Sequence, residues 1–317
     1  VAQAMGANPE TSIIIPSYNR AHVLARAVKS ALGQHYQCFE VIIVDDCSSD
    51  GTESMCRTVF PDERIRVIRH QVRRGAAAAR NTGAFQARGR FVSFLDSDDE
   101  WSPDKLAQEV EFLKRHPKSI LCSTGAVVID EACGTVIHRS LPQEIVVTQA
   151  IAVREFGYFT NDFTVTREAF LAVHGFDEDL PAAQDADIWI RLAAVGSCQY
   201  LPRYATTHFI RRRDEISHDT HAKIRGVDRV FEKHRSLFTA DTDALFKVQL
   251  MRGFLYVFSG NNNAVDYFRA ARTATSSFVM RAMLTVIIMS IAVLRRYGVK
   301  VIAFLYAKTH PRSYLLW

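Results

Sequence analysis

No CxxC pair occurs in this 317-residue chain; its six cysteines, Cys38, Cys47, Cys56, Cys122, Cys133 and Cys198, are scattered through strand-like and helix-like segments. A chain of this size needs no disulfide framework, so reduced thiols in a cytosolic compartment are expected. The opening stretch VAQAMGANPE lacks an apolar h-region, so no signal peptide is expected. The first strand-like run ends in PSYNR without a glycine, which excludes a GxGxxG dinucleotide turn, and a P-loop lysine motif is absent. Long repeats and low-complexity segments are missing too. What remains is an ordinary folded composition, 48% apolar and 23% charged, enough for one large domain with an appendage or for two modest ones.

Charge is unevenly placed. Residues 221–317 carry 15 Lys/Arg against 5 Asp/Glu, whereas residues 1–220 carry 24 against 29. This predicts an acidic ligand-binding or catalytic part over 1–220, followed by a basic region over 221–317 that meets an anionic surface.

The first hundred residues alternate strand and helix signals. SIIIP (12–16), FEVIIVDD (39–46), IRVIRH (65–70) and RFVSFL (90–95) are apolar, β-branched runs. Between them lie a helical pattern over 21–32, a short helix after SSDGT, and the small-residue helix AAAARNTGAFQAR (76–88). Continuous apolar strands separated by helices predict a doubly wound α/β sheet covered on both faces. A helix to about His116 follows, then strand-like ILCSTGAVVID, GTVIH and IVVT, and helices over 166–176 and 185–196. Beyond residue 221 the pattern is helical, with 241–258 and 263–275 forming a hairpin.

FVSFLDSDDEW (91–101) runs from a buried-looking strand straight into Asp96, Asp98, Asp99 and Glu100. Such carboxylates repel one another unless something positive compensates, and the carboxyl end of a strand is where open α/β sheets place ligands. An EF-hand loop does not fit. Counted from Asp96, the glycine position holds Trp101; counted from Asp46, the glycine is Gly51 but the closing glutamate is replaced by Arg57. The pair Asp96-Ser97-Asp98 does fit a half-built Mg²⁺ or Mn²⁺ site completed by a substrate diphosphate; a solvated acidic loop is the plainer alternative. In VIIVDDCSSDGT, Asp45 and Asp46 could accept hydrogen bonds from a nucleobase or ribose, while Ser48, Ser49, Asp50 and Gly51 read as a turn and N-cap.

Taken in order, IIIPSYNR, VIIVDDCSSDGT, RRGAAAARNTG, FVSFLDSDDEW and HGFDEDLPAAQDADIWIRL closely resemble the family 2 glycosyltransferases of the GT-A fold, over roughly residues 11–220. The resemblance implies a nucleoside pocket lined by Pro16, Tyr18 and Asp46, with Arg80, Asp96 and Ser97 also on the nucleotide sugar. It implies that Asp98, with Asp96, holds Mn²⁺ or Mg²⁺, and that Asp185 is the catalytic base. Two departures stand out. Many relatives have Glu-Asp where this chain has Gln184-Asp185, and a histidine where FIRRRDEIS places Arg213. An arginine there could pair bidentately with the diphosphate. His208 is expected to be structural, and Trp101 and Trp189 belong either to the core or on sugar faces.

The implied reaction is an inverting transfer from a nucleotide-diphosphate sugar, UDP-sugar favoured, to a hydroxyl of a glycan or lipid-linked acceptor. The setting would be bacterial surface or extracellular polysaccharide synthesis. A non-catalytic nucleotide-sugar-binding scaffold stays open, because of Gln184 and Arg213. A nucleotidyltransferase fits less well, since no Gly-rich cationic loop follows the first strand.

The tail carries AMLTVIIMSIAVL (282–294), a run of 13 apolar-rich residues between Arg281 and Arg295-Arg296. A bilayer span needs about 20. Residues 278–309 therefore predict an interfacial helix on an anionic membrane surface. Packing on the catalytic domain, a dimer interface, or a span broken by the arginine pair are the alternatives. The expected location is cytoplasmic, peripheral on the inner membrane's cytoplasmic face, with no nucleic-acid partner.

Overall fold

The computed structural model describes residues 8–140, 146–154, 162–210, 219–261 and 263–294. It divides into two compact units: Val1–Thr148 with Phe159–Glu178 and Arg191–Arg212, and Gln149–Tyr158 with Asp179–Ile190 and Arg213–Trp317. The helical unit thus takes in two segments that precede residue 220.

The first unit is built on β1 (Thr11–Ser17), β2 (Phe39–Asp45), β3 (Ile65–Arg69) and β4 (Phe91–Phe94), connected through α1 (Leu24–Leu32), α2 (Thr52–Val59) and α3 (Ala76–Phe85). These four strands are mutually parallel in the order β3-β2-β1-β4. Ile13–Ile15 and Val41–Val44 are fully buried, which is why these strands read as unbroken apolar runs rather than as alternation. The alanines and Gly83 of α3 let that helix lie close on the sheet. A Cβ at Gly83 would come within 2.4 Å of Ile14 Cγ2.

Beyond β4 the sheet becomes mixed. β5 (Glu100–Trp101), α4 (Lys105–Arg115), β6 (Ser119–Asp130), β7 (Thr135–Ser140) and β8 (Val146–Val147) come next in the chain. They precede β9 (Phe163–Thr166) and β10 (Ser197–Ile210), and the spatial order continues β4-β9-β6-β10-β5. β9 is antiparallel to both β4 and β6. The sequence pattern does not anticipate β5, β9 or β10. β5 and β9 are short, and β10 shifts register at Tyr200/Tyr204 and Tyr204/Thr206, which scrambles its alternation.

A buried ion pair sits where α4 crosses the sheet. Lys105 and Glu109 are both fully buried, with Nζ 2.6 Å from Oε2. The ammonium lies over the Trp101 ring at 4.2 Å, and Thr124 and Thr164 hydroxyls donate to the carboxylate at 3.0 and 2.5 Å.

The second unit contains α5 (Gln149–Arg154) and most of α7 (Gln184–Val195); α6 (Arg167–Ala172) belongs to the first unit. Then come α8 (Thr220–Lys233), α9 (Arg235–Ala240), α10 (Thr242–Phe258), α11 (Ala264–Ala274) and α12 (Phe278–Leu294). α10 and α11 form the expected hairpin, capped by Asp241, whose carboxylate accepts from Asp243 N and Ala244 N. Phe254 and Phe268 meet edge-on at 5.2 Å. Leu284, Ile287, Ile288 and Ile291 of α12 pack on this hairpin, while Phe278 (83% exposed), Val279, Met283, Val286 and Met289 face outward. Among the described residues no helix is long and apolar enough to cross a membrane; 295–309 lie outside them.

Glu109→Gln should strand a buried ammonium and destabilise the protein by roughly 3–5 kcal/mol. Pairing it with Lys105→Met should recover most of that loss. Urea unfolding of the three proteins checks this, and equal midpoints for wild type and Glu109→Gln would refute it.

Candidate functional site

The tips of β2 and β4 lie on either side of β1, two strand spacings or about 10 Å apart. At the β2 tip, Asp45 is fully buried and committed to the fold, accepting from Ser48 N and Arg69 Nη1. Asp46 shapes the next turn: Oδ1 accepts from Arg74 N at 2.8 Å and lies 2.7 Å from His70 Nδ1, and Oδ2 accepts from Gly75 N at 2.7 Å. A carboxylate offers about four acceptor positions, so Asp46 keeps capacity for a ribose or base donor. Pro16 lies in β1 beside Val44. Tyr18, just beyond, carries the Arg73 guanidinium 4.1 Å over its ring.

The loops after β1 and β2 are laced together. Asn19 N donates to Ser48 Oγ, Ser49 N to Asn19 Oδ1, and Ala21 N to Asp50 Oδ2. Gly51, at φ 82°, opens α2 as expected, while Asn19 and Cys47 take left-handed backbone at φ 53° and 66°.

The acidic loop after β4 finds its positive partners far away in sequence. Arg80 Nη2 donates to Asp96 Oδ1 at 2.6 Å. Asp99 is buried, accepting from Phe209 N at 3.0 Å, with His208 Nδ1 at 2.8 Å. His208 Nε2 lies 3.2 Å from Asp162. Burial alone would lower the His208 pKa, but the two carboxylates outweigh it and hold that pKa well above its ordinary value. His208 is therefore the structural histidine that was expected. Arg26 donates to the Asp98 carbonyl and to Glu131, and stacks 3.6 Å over Phe209.

Asp98 is the carboxylate this arrangement compensates least. Among the described residues its ion-pair partner is Arg20, at 3.7 Å. Burial, then the charges of Asp99 and Asp96, push its pKa up to about 6 against the pull of Arg20. A surplus of negative field at a strand end, beside buried Ser97, fits a divalent cation. Among the described residues no group of three or more His, Cys, Asp or Glu could hold a metal. The Asp96/Asp98 pair would need further oxygens to complete a cation's coordination, such as those of a diphosphate or water.

α3 ties this loop to another. Arg80 reaches Asp96, and its neighbour Asn81 clamps the turn at 175–178. Phe176 N donates to Asn81 Oδ1, and Asn81 Nδ2 donates to Phe176 O and Glu178 Oε1. Gly175, at φ 68°, makes room: a Cβ there would lie 2.4 Å from Asn81 Oδ1.

Asp185 belongs to the second unit, in the first turn of α7 together with Asp187. Gln184 Nε2 donates to Leu180 O at 2.8 Å. Trp101 and Trp189 are both buried, which overturns sugar stacking for either. Arg213 lies outside the described residues. Arg20, Arg26, His70 and Arg73 escaped the sequence reading. Arg20 stands inside the quoted PSYNR, but nothing in the pattern pairs it with a residue 78 positions later.

A model of glycosyl transferase family 2 matches residues 12–171. The putative teichuronic acid biosynthesis glycosyltransferase TuaG of Bacillus subtilis is 46% identical over 106 residues, covering 33% of this chain and 42% of that protein. The Escherichia coli UDP-Glc:alpha-D-GlcNAc-diphosphoundecaprenol beta-1,3-glucosyltransferase WfgD is 40% identical over 117 residues, 37% of this chain and 46% of that protein. The matched part thus spans under half the length of either relative. Mannosyltransferase PcManGT from Pyrobaculum calidifontis, solved with GDP-Man and Mn²⁺, has a TM-score of 0.62 at 22% identity, covering 100% of this chain and 90% of that one.

A raised acid pKa means that ionising Asp98 weakens the metal-free fold as pH rises from 3.8 through about 6. Asp98→Asn should therefore stabilise the metal-free protein at pH 8 by on the order of 1–2 kcal/mol. The gain should vanish near pH 4. Thermal unfolding at both pH values checks it, and an unchanged midpoint at pH 8 would refute it.

Proposed function

Because the chain belongs to glycosyl transferase family 2, we propose that it transfers a sugar, with inversion, from a nucleotide-diphosphate donor to a hydroxyl of a glycan or lipid-linked acceptor. A UDP-sugar is the favoured donor, and polysaccharide synthesis at a bacterial surface the favoured setting. The observation that carries this reading is the under-compensated, half-buried Asp98 in the loop after β4, beside the loops of Tyr18 and Asp46. WfgD, whose name gives a UDP-Glc donor, a diphosphoundecaprenol acceptor and a beta linkage, supports donor, acceptor class and stereochemistry together.

In this reading Pro16, Tyr18 and Asp46 hold the nucleoside. Arg80 and Ser97 keep Asp96 and the sugar diphosphate in register, and Arg213 pairs with a phosphate. Asp98 and Asp96 would hold Mn²⁺ or Mg²⁺, which when bound supplies positive charge against the departing diphosphate. Asp185 takes the proton from the acceptor hydroxyl as its oxygen bonds to the anomeric carbon. The bond from that carbon to the diphosphate oxygen breaks on the opposite face, so an α-linked donor yields a β-glycoside. As a functional division, residues 1–220 would carry the transfer chemistry and residues 221–317 the basic surface.

In the same reading those helices would hold the enzyme on the cytoplasmic face of the inner membrane. The outward stripe of α12, Phe278, Val279, Met283, Val286 and Met289, is exposed and apolar, and Arg281 and Arg272 are exposed as well. An apolar face with basic neighbours suits an anionic interface. A lipid-linked acceptor would then be within reach.

Asp185→Asn should keep donor binding and lose transfer by about 10² or more. Asp98→Ala should lose the Mn²⁺-dependent affinity for a nucleoside diphosphate while staying folded. Gln184 in place of a second carboxylate favours a donor-binding scaffold as the alternative, and that reading wins if the wild type binds donor but no acceptor is ever glycosylated. For the membrane, Val279→Asp with Val286→Asp should abolish flotation with anionic liposomes. If wild type and variant float equally, the stripe has another use.

A further inference from the structure

The segment bearing Asp185 is gripped along one face of α8. Ala183 holds left-handed backbone at φ 60° immediately before α7, a conformation that a residue with a side chain keeps only where its surroundings over-determine it. Those surroundings are visible. A Cβ at Gly226 would lie 2.4 Å from the Ala182 carbonyl oxygen, 2.7 Å from its carbon and 3.0 Å from its Cα. All three neighbours are backbone, so none can rotate away.

Two further contacts lie on the same helix face. Arg229 Nη1 donates to Asp179 O. Lys233 Nζ and the adjoining His234 Nε2 lie 3.0 and 2.8 Å from Oδ1 of Asp187, which is fully buried. Residues 226, 229 and 233 share one face of a helix with about 3.6 residues per turn. The grip therefore touches the chain at 179, 182 and 187, on both sides of residue 185. Gln184 adds a fourth tie. Its amide donates to Leu180 O, which a glutamate carboxylate could not do.

We propose that Gly226 is a positioning residue for transfer: by admitting the Ala182 carbonyl against α8 it locks Ala183 left-handed and so fixes the direction of the Asp185 carboxylate. This rests on Asp185 being the base. It predicts a loss in turnover with no loss in donor recognition, because the grip touches none of the residues assigned to the donor.

The experiment is steady-state transfer with a nucleotide-sugar donor in Mn²⁺, on Gly226→Ala, Ala183→Gly, Ala183→Val and Asp185→Asn. Gly226→Ala should lower kcat on the order of 10-fold to 10²-fold, with the donor KM and the nucleoside-diphosphate Kd unchanged. Ala183→Gly takes the left-handed backbone without penalty, so its melting temperature should hold or rise and its kcat should stay at the wild-type level. Ala183→Val, whose β-branched side chain disfavours that backbone, should lower kcat with the donor KM and Kd unchanged. A merely structural role would lower stability without splitting kcat from the donor KM. If Gly226→Ala fails to fold, Ala183→Val decides. Wild-type kcat in Ala183→Val, with Asp185→Asn inactive, overturns the proposal. Wild-type turnover in Asp185→Asn overturns the base assignment instead.

Discussion

The repulsion among Asp96, Asp98 and Asp99 is the constraint that the loop after β4 and its partners are arranged to meet. Each carboxylate has a different answer. Asp96 takes a direct ion pair with Arg80, Asp99 takes a buried imidazole shared with Asp162, and Asp98 takes, among the described residues, the longer ion pair with Arg20. Burial still holds the Asp99 pKa above the usual carboxylate range despite its imidazole, and Asp98 is raised to about 6. Burial, together with the charges of its neighbours, explains why ionising Asp98 costs stability.

α3 converts that local electrostatic answer into geometry. Consecutive side chains on a helix diverge by about 100°, so Arg80 and Asn81 reach different loops from one rigid element. Alanines and Gly83 let the helix seat directly on the buried β1 and β2 runs. The precision of the acidic loop is therefore inherited from sheet packing rather than from the loop itself. Loss of an alanine-sized contact at the sheet would be felt at Asp96.

The parallel block β3-β2-β1-β4 was legible because strands covered on both faces leave continuous Val/Ile runs, and its acidic ends were legible because charge there is conspicuous. β9 and β10 were not. One is four residues long and the other changes register within its length, so neither keeps a period. The candidate site residues could be named from pattern, but partners such as Arg80 for Asp96 and Arg20 for Asp98 stand 16 and 78 positions away, and no local spacing encodes such pairs. Trp101 shows the limit from the other side. Its position beside the acids suggested a sugar platform, whereas its face is filled by Lys105. The grip on residues 179–187 depends on one positive φ and one missing Cβ, neither of which any periodicity announces.

The pairing of Asp99 with His208 spans 109 residues, and this has a bearing on how the protein is made. During synthesis the four parallel strands and α3 emerge early and can pair locally, but the acidic loop has no imidazole to lean on until β10 has left the ribosome. Contacts of such long separation form late. A nascent or truncated chain ending before His208 would thus carry the parallel sheet without the partner that settles the acidic loop, and that loop would take its final form only once β10 is in place.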